Sequence, residues 1–363
     1  WYFNLNEFHD LLKQWVEQLK VIPGYRNFVI TSIEEFLEPP VIYIKKDQLE
    51  ALEAIKDKLP PYEFQNEENK SSALMIFDSL ELREKACTIL AEHTIRFRTG
   101  KTLVPFRLTG NIDWGVPAPN LEGLEGLTIW VWPESLWAPL SFTKTYLEKI
   151  GRDPEDWKTY WCSKEAKVFQ FIGEDNVYFY GPVEMAMFMG QQGENPTAYP
   201  EDGQMQLPLL IVNNHLLFLN KKASSSGKIK PPSAEELLNH YTAEQLRAHF
   251  LGLGLGIRSV GFQPKPFNPN ATERDADPVL KEGNLLSNVF NRAVRSCFYT
   301  VQKYFDGKIP LRRISEEVLS EANKTVLEYE QLMSRFEFHQ VMNLLDVYIR
   351  NINKYWSKYI RIA

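Results

Sequence analysis

Cysteine is scarce in this chain: Cys87, Cys162 and Cys297 are the only three in 363 residues. They lie too far apart for the closely spaced pairs that a disulfide framework or a thiolate zinc site needs. This predicts a reducing, cytoplasmic compartment, where the sequons at Asn69, Asn270 and Asn323 are chance matches. No apolar run approaches the ~20 residues of a membrane span, and no secretory leader opens the sequence. A surplus of positive charge is missing too. With 41 basic against 47 acidic residues the net charge is −6, which excludes indiscriminate polyanion binding but leaves room for local basic patches. The first residue is Trp1, already inside an amphipathic pattern, so an N-terminal part is expected to precede it.

What is there reads as a globular chain, 44% hydrophobic and 24% charged, long enough for two or three packed units. Phe8, Leu11, Leu12, Trp15, Val16 and Leu19 recur at helical spacing, and Pro23-Gly24 ends that helix. Residues 41–105 predict a small α/β insert: a strand at 41–44, a charged helix to about Lys58, a strand at 73–77 and a helix at 81–91. In it His93 sits among Arg96, Arg98 and Lys101, either an RNA-facing patch or a solvated strand edge. From Leu108 the texture becomes strands separated by helices, with strands at 127–132, 168–172 and 207–212 and helices at 144–150 and 183–189. This predicts an open α/β sheet whose ligand lies at the carboxyl edge.

A basic, hydroxyl-rich loop follows, Asn-Lys-Lys-Ala-Ser-Ser-Ser-Gly-Lys at 220–228. Its cations and backbone N–H groups could wrap phosphates; the plain alternative is a flexible connector. Beyond Pro231-Pro232 the chain turns helical, starting with a Ser233/Glu236 capping box. Leu251-Gly-Leu-Gly-Leu-Gly256 only imitates a dinucleotide fingerprint and reads as a chain corner. Three apolar stripes predict a bundle: Leu286, Val289, Phe290, Ala293, Cys297, Val301 and Tyr304, then Val318 to Met333, then Val341 to Ile349. Asn291 and Arg295, four apart, share a helix face turned away from the first stripe. Arg292, Lys303, Lys308, Arg312 and Arg313 surround them, and the tail adds Trp356 among Arg350, Lys354, Lys358 and Arg361. An amide, a guanidinium and an indole in a positive surface suit unpaired bases. The alternative is a solvated face with Trp356 packed on the bundle.

The order of Asp113-Trp-Gly-Val-Pro117, Trp130-Val-Trp132, Phe171-Ile-Gly-Glu-Asp-Asn-Val177, Lys222-Ala-Ser-Ser-Ser226 and Asn291 to Arg295 resembles the methionyl-tRNA synthetase family of class I aminoacyl-tRNA synthetases. The likeness runs from about Leu108 to Trp356, and more weakly over residues 1–36. It implies the second half of a Rossmann-like α/β catalytic domain followed by an all-α anticodon-binding bundle. The segments would be a connective remnant (1–40), the insert (41–105), the half-domain with its signature loop (106–235), and a stem-contact and anticodon bundle (236–363). By the same resemblance the substrates are methionine, ATP with Mg2+ and tRNA(Met). Trp132 and Asp175 would line the amino-acid and adenosine site, while Lys222, Ser224, Ser226 and Lys228 would steady the triphosphate. Asn291, Arg295 and Trp356 would read the CAU anticodon.

The chain also departs from the family. The His-x-Gly-His element and the cysteine knuckles are absent, so no zinc site is expected here. Ser225 replaces the second lysine of the signature, with Lys228 nearby. Glu134-Ser135-Leu136 replaces Asp-Ala-Pro, Pro139 a tyrosine, and Tyr180 and Asn213 two histidines. Two readings follow. One is a part of a methionyl-tRNA synthetase completed by an N-terminal half; the other is a diverged paralogue that keeps tRNA binding while its amino-acid chemistry is lost or changed.

Overall fold

The computed structural model describes residues 1–222 and 230–360, in two units, Trp1–Val212 and Asn213–Ala363. The expected segment 106–235 straddles that division. In the first unit, helix His9–Lys20 buries Leu12, Trp15, Val16 and Leu19, the i, i+3, i+4, i+7 set that one face of a helix carries. Gly24, at φ +75°, turns the chain into helix Asn27–Leu37, which buries Val29, Ile30, Ile33 and Leu37. Strand Tyr2–Phe3 pairs antiparallel with Phe106–Arg107, and the chain leaves the core shared by the two helices after Leu37 and rejoins it at Leu103 and Phe106.

The insert fills that excursion. Strand Val41–Lys45, helix Leu49–Glu53, strands Glu63–Gln65 and Ser72–Ile76, helix Leu80–Glu92 and strand Phe97–Thr99 follow in a β-α-β-β-α-β order. Val41–Lys45 lies between Ser72–Ile76 and Phe97–Thr99, and Glu63–Gln65 flanks Ser72–Ile76, all antiparallel. This is the split β-α-β arrangement, and its alternate residues Ile42, Ile44 and Met75 join Leu52, Phe77, Ala86 and Leu90 in a core of its own. The charged helix expected up to Lys58 is broken into short turns at Lys46–Gln48, Leu49–Glu53 and Lys56–Lys58.

The rest of the unit is the expected mixture of short strands and helices. Thr109–Gly110 pairs antiparallel with Thr128–Ile129, and Phe169–Gly173 pairs with Leu209–Asn213. The strand predicted over 127–132 stops at Ile129, because helix Val131–Lys149 has already begun. Pro133 explains the switch: in a first helical turn its missing N–H would have had no partner anyway.

In the second unit, Leu216–Phe218 and Lys221–Lys222 form an antiparallel hairpin, with Val260–Phe262 parallel on its other side. The Ser233/Glu236 capping box is present, and Thr242 with Gln245 forms a second one on helix Ala243–Gly252. Helices Asn291–Tyr304, Glu316–Ser334 and Phe338–Ile360 follow. Their expected stripes are only partly buried. Ala293 and Val341 are buried, whereas Leu286, Phe290 and Tyr304 are exposed and Glu316–Ser334 buries no residue. A wider π-helical turn at Leu285–Phe290 breaks the 3.6-residue period, so Leu286 and Phe290 fall out of line with Ala293.

Candidate functional site

In the first unit, Trp132 stands in the opening turn of helix Val131–Lys149 and stacks flat on Phe179, centroids 3.7 Å apart at 7°. Phe179 opens a π-helical turn, Phe179–Val183, that runs into helix Glu184–Gly190. Both rings pack on the core formed by Leu136, Val177 and Val183. Asp175 is exposed on the turn Glu174–Asn176 just beyond strand Phe169–Gly173. A nearly apolar cavity of about 390 Å³ opens beside the helix start, walled by Leu108, Ile129, Pro133, Trp137 and Met187 and by Glu134. Trp132 is not among its walls.

One residue here escaped the sequence reading. Glu184 is fully buried and accepts a hydrogen bond from Gln170 Nε2 at 3.0 Å. Its second oxygen and the Gln170 carbonyl oxygen have no partner. Burial pushes its pKa up to about 8 against the smaller opposing effect of the Gln170 bond. Burial is also the main cause of the raised pKa of Tyr180, with the Glu184 charge second. A lone carboxyl inside Val183-Glu-Met-Ala-Met-Phe188 was the available signal, since such groups are rarely buried unless paired.

In the second unit, Lys222 is exposed at the end of the hairpin, opposite Leu217. The turn places Leu219 and Asn220 at φ +48° and +62°, the left-handed pair of a two-residue hairpin loop. Gly261, opposite Leu217, leaves room for the Asn220 carboxamide, which a Cβ there would overlap. Together with desolvation, which is the larger cause, the Lys222 charge lowers the pKa of His215. Ser224, Ser226 and Lys228 lie outside the described residues. Among the described residues no group of three His, Cys, Asp or Glu side chains could hold a metal ion.

Farther along the second unit, Asn291 and Arg295 are both exposed on helix Asn291–Tyr304. Trp356, on helix Phe338–Ile360, is half-buried and donates its indole N–H to Ser296 Oγ at 2.8 Å. The structure thus ties the indole to the residue next to Arg295. Of the two readings the sequence offered for Trp356, packing on the bundle is what this bond shows. The basic residues of the insert do not converge: Lys101 pairs with Glu35, Arg96 with Asp47, Arg98 sits over Tyr43, and His93 meets Lys58. That is the solvated edge of the two readings.

Residues 80–273 match the family model described as tRNA synthetases class I (M). The chain therefore belongs to the class I tRNA synthetases, and within that class to the methionyl-tRNA synthetase family. Among relatives, the methionine–tRNA ligase of Sulfurisphaera tokodaii is 32% identical over 234 residues, 63% of this chain and 36% of that protein. The ligase of Pyrococcus furiosus is 28% identical over 248 residues, 65% and 32%. That of Bacteroides fragilis is 26% identical over 253 residues, 68% and 33%. The chain thus spans about a third of the length of these relatives. A crystal structure of free methionyl-tRNA synthetase from Mycobacterium tuberculosis aligns with a TM-score of 0.48 at 18% identity, over 76% of this chain and 46% of that one. No helix among the described residues is long and apolar enough to cross a membrane.

Proposed function

We propose that the chain is part of a cytoplasmic methionyl-tRNA synthetase that activates methionine with ATP and transfers it to tRNA(Met). On this reading the second unit recognises the CAU anticodon through Asn291, Arg295 and Trp356. The observation that carries it is the exposed amide and guanidinium on one helix face, with the indole anchored to Ser296 beside them. Trp132 and Asp175 take the amino-acid and adenosine roles. ATP with Mg2+ supplies the activated phosphate when bound. Lys222, with Ser224, Ser226 and Lys228, contributes charge and hydrogen bonds to the triphosphate, a matter of positioning and electrostatics rather than covalent catalysis. An N-terminal half carrying the remaining ATP contacts would complete the enzyme.

The test is direct binding of whole tRNA with a CAU anticodon, against the same tRNA with the three anticodon bases replaced, at fixed salt. A clear preference for CAU is expected; equal binding contradicts the reading. A second reading, a paralogue that binds tRNA with lost or changed amino-acid chemistry, is favoured by the replacements at Glu134-Ser135-Leu136, Pro139, Tyr180 and Asn213. Calorimetric titration of the complete enzyme with methionine separates the two: saturable binding supports the first, and its absence beside CAU-selective tRNA binding supports the second.

A further inference from the structure

The helix that carries Asn291 and Arg295 does not end its exposed face there. Tyr299 and Lys303 follow at the same four-residue interval. Each step turns the helix by only about 40° and advances ~6 Å, so the four side chains form one slowly winding row. Ala293, on the opposite side, is buried, and Cys297 and Val301 are half-buried. Tyr299 is 64% exposed, and Tyr304 at the helix end is 65% exposed. An aromatic ring held in water loses burial that any core would supply, so two adjacent ones in a cationic neighbourhood ask for a partner. The Lys303 ammonium sits 5.7 Å from the Tyr299 ring centre and 5.1 Å from that of Tyr304. Arg292 is exposed on the same flank.

We infer that Tyr299 is a stacking platform for an unpaired base of an RNA loop, next to the bases that meet Asn291 and Arg295, and that Lys303 holds the adjoining phosphate. This rests on the RNA-reading role proposed above and adds to it a nucleotide outside the triplet. The chemistry favours RNA over a protein partner. The row alternates guanidinium, ring and ammonium, which match base edge, base face and phosphate in turn, and every base has a face to stack whatever its sequence.

The test uses the full chain and RNA stem-loops carrying CAU or an altered triplet, with 2-aminopurine placed singly at each loop position outside the triplet. Tyr299→Ala should weaken both loops alike, by about 5- to 150-fold, and abolish the 2-aminopurine quenching at one position. Tyr299→Phe should keep both affinity and quenching. Arg295→Ala, run in parallel, reports on triplet reading. Unchanged affinity for Tyr299→Ala while Arg295→Ala erases the CAU preference overturns the platform and leaves the triplet reading intact. Equal weakening by Tyr299→Ala in a chain without CAU preference does the reverse. A loss shared by Tyr299→Phe overturns stacking in favour of the hydroxyl, and failure of the unaltered chain to bind either loop overturns both.

Discussion

The indole N–H of Trp356 and the hydroxyl of Ser296 meet at 2.8 Å across 60 residues of sequence, and this bond ties an aromatic ring to the residue that follows the exposed Arg295. A neutral hydrogen bond of this kind contributes about 1 kcal/mol net. Ser296→Ala should therefore loosen the ring without unfolding the bundle. The expected outcome is a several-fold weaker affinity for CAU stem-loops with an unchanged helical circular-dichroism spectrum. Trp356→Ala, which removes the ring as well as the bond, should weaken binding further than Ser296→Ala, and fluorescence-anisotropy titration ranks the two.

Glu184 makes stability depend on pH with a definite sign. Its carboxyl titrates near 8 when folded, against an ordinary value of 4.5. Between those values the folded chain holds a proton that the unfolded chain has released, so stability falls as pH rises through that window. Below the ordinary value the contribution is fully present, and above about 8 it is lost. Glu184→Gln keeps the size and the contact with Gln170 while removing the titration. Thermal unfolding from pH 5 to 9 should show a shallower decline for Glu184→Gln and a higher melting temperature than wild type at the alkaline end.

Lys222 is predicted to act on rate rather than on amino-acid binding. In the complete enzyme, Lys222→Ala should slow methionine-dependent ATP–pyrophosphate exchange by roughly 10²- to 10³-fold, the usual cost of losing one donor aimed at developing charge. Methionine affinity should stay nearly constant. Exchange at the wild-type rate would remove the hairpin from the mechanism.

The hairpin itself depends on close packing at Gly261, where a Cβ would overlap the Asn220 side chain. Gly261→Ala must displace Asn220 from a turn whose left-handed backbone suits Asn better than most residues. Limited trypsin digestion should then cut faster after Lys221 or Lys222, whereas Asn220→Gly, which removes the overlapping side chain and tolerates the turn, should digest as wild type does.

These sites were legible in the sequence to unequal degrees. Helical spacing alone put Asn291 and Arg295 on one outward face, because four residues make nearly a full turn wherever a helix forms. The capping box at Ser233 and the corner at Gly252–Gly256 were equally local and equally readable. The Trp356–Ser296 bond was not, since nothing local pairs residues from two helices. The four-stranded order of the insert was hidden as well: Glu63–Gln65 is only three residues long and has no buried residue, so it carries no alternation to read. Trp132 was expected in a strand because Thr128, Ile129 and Val131 favour one, and Pro133 two residues after the switch decided otherwise. The apolar stripe failed at Leu286 and Phe290, where one π-helical turn shifts the period.

The Arg295 face is predicted to read bases rather than phosphates. The measurement that tests it most directly is the affinity of wild type and Arg295→Ala for two stem-loops, one with CAU and one with a single base of that triplet changed, across a series of salt concentrations. A base-reading contact predicts that Arg295→Ala loses about 1–3 kcal/mol on the CAU loop and far less on the altered one. An equal loss on both loops, with a shallower salt dependence, would make Arg295 a phosphate contact and contradict the claim.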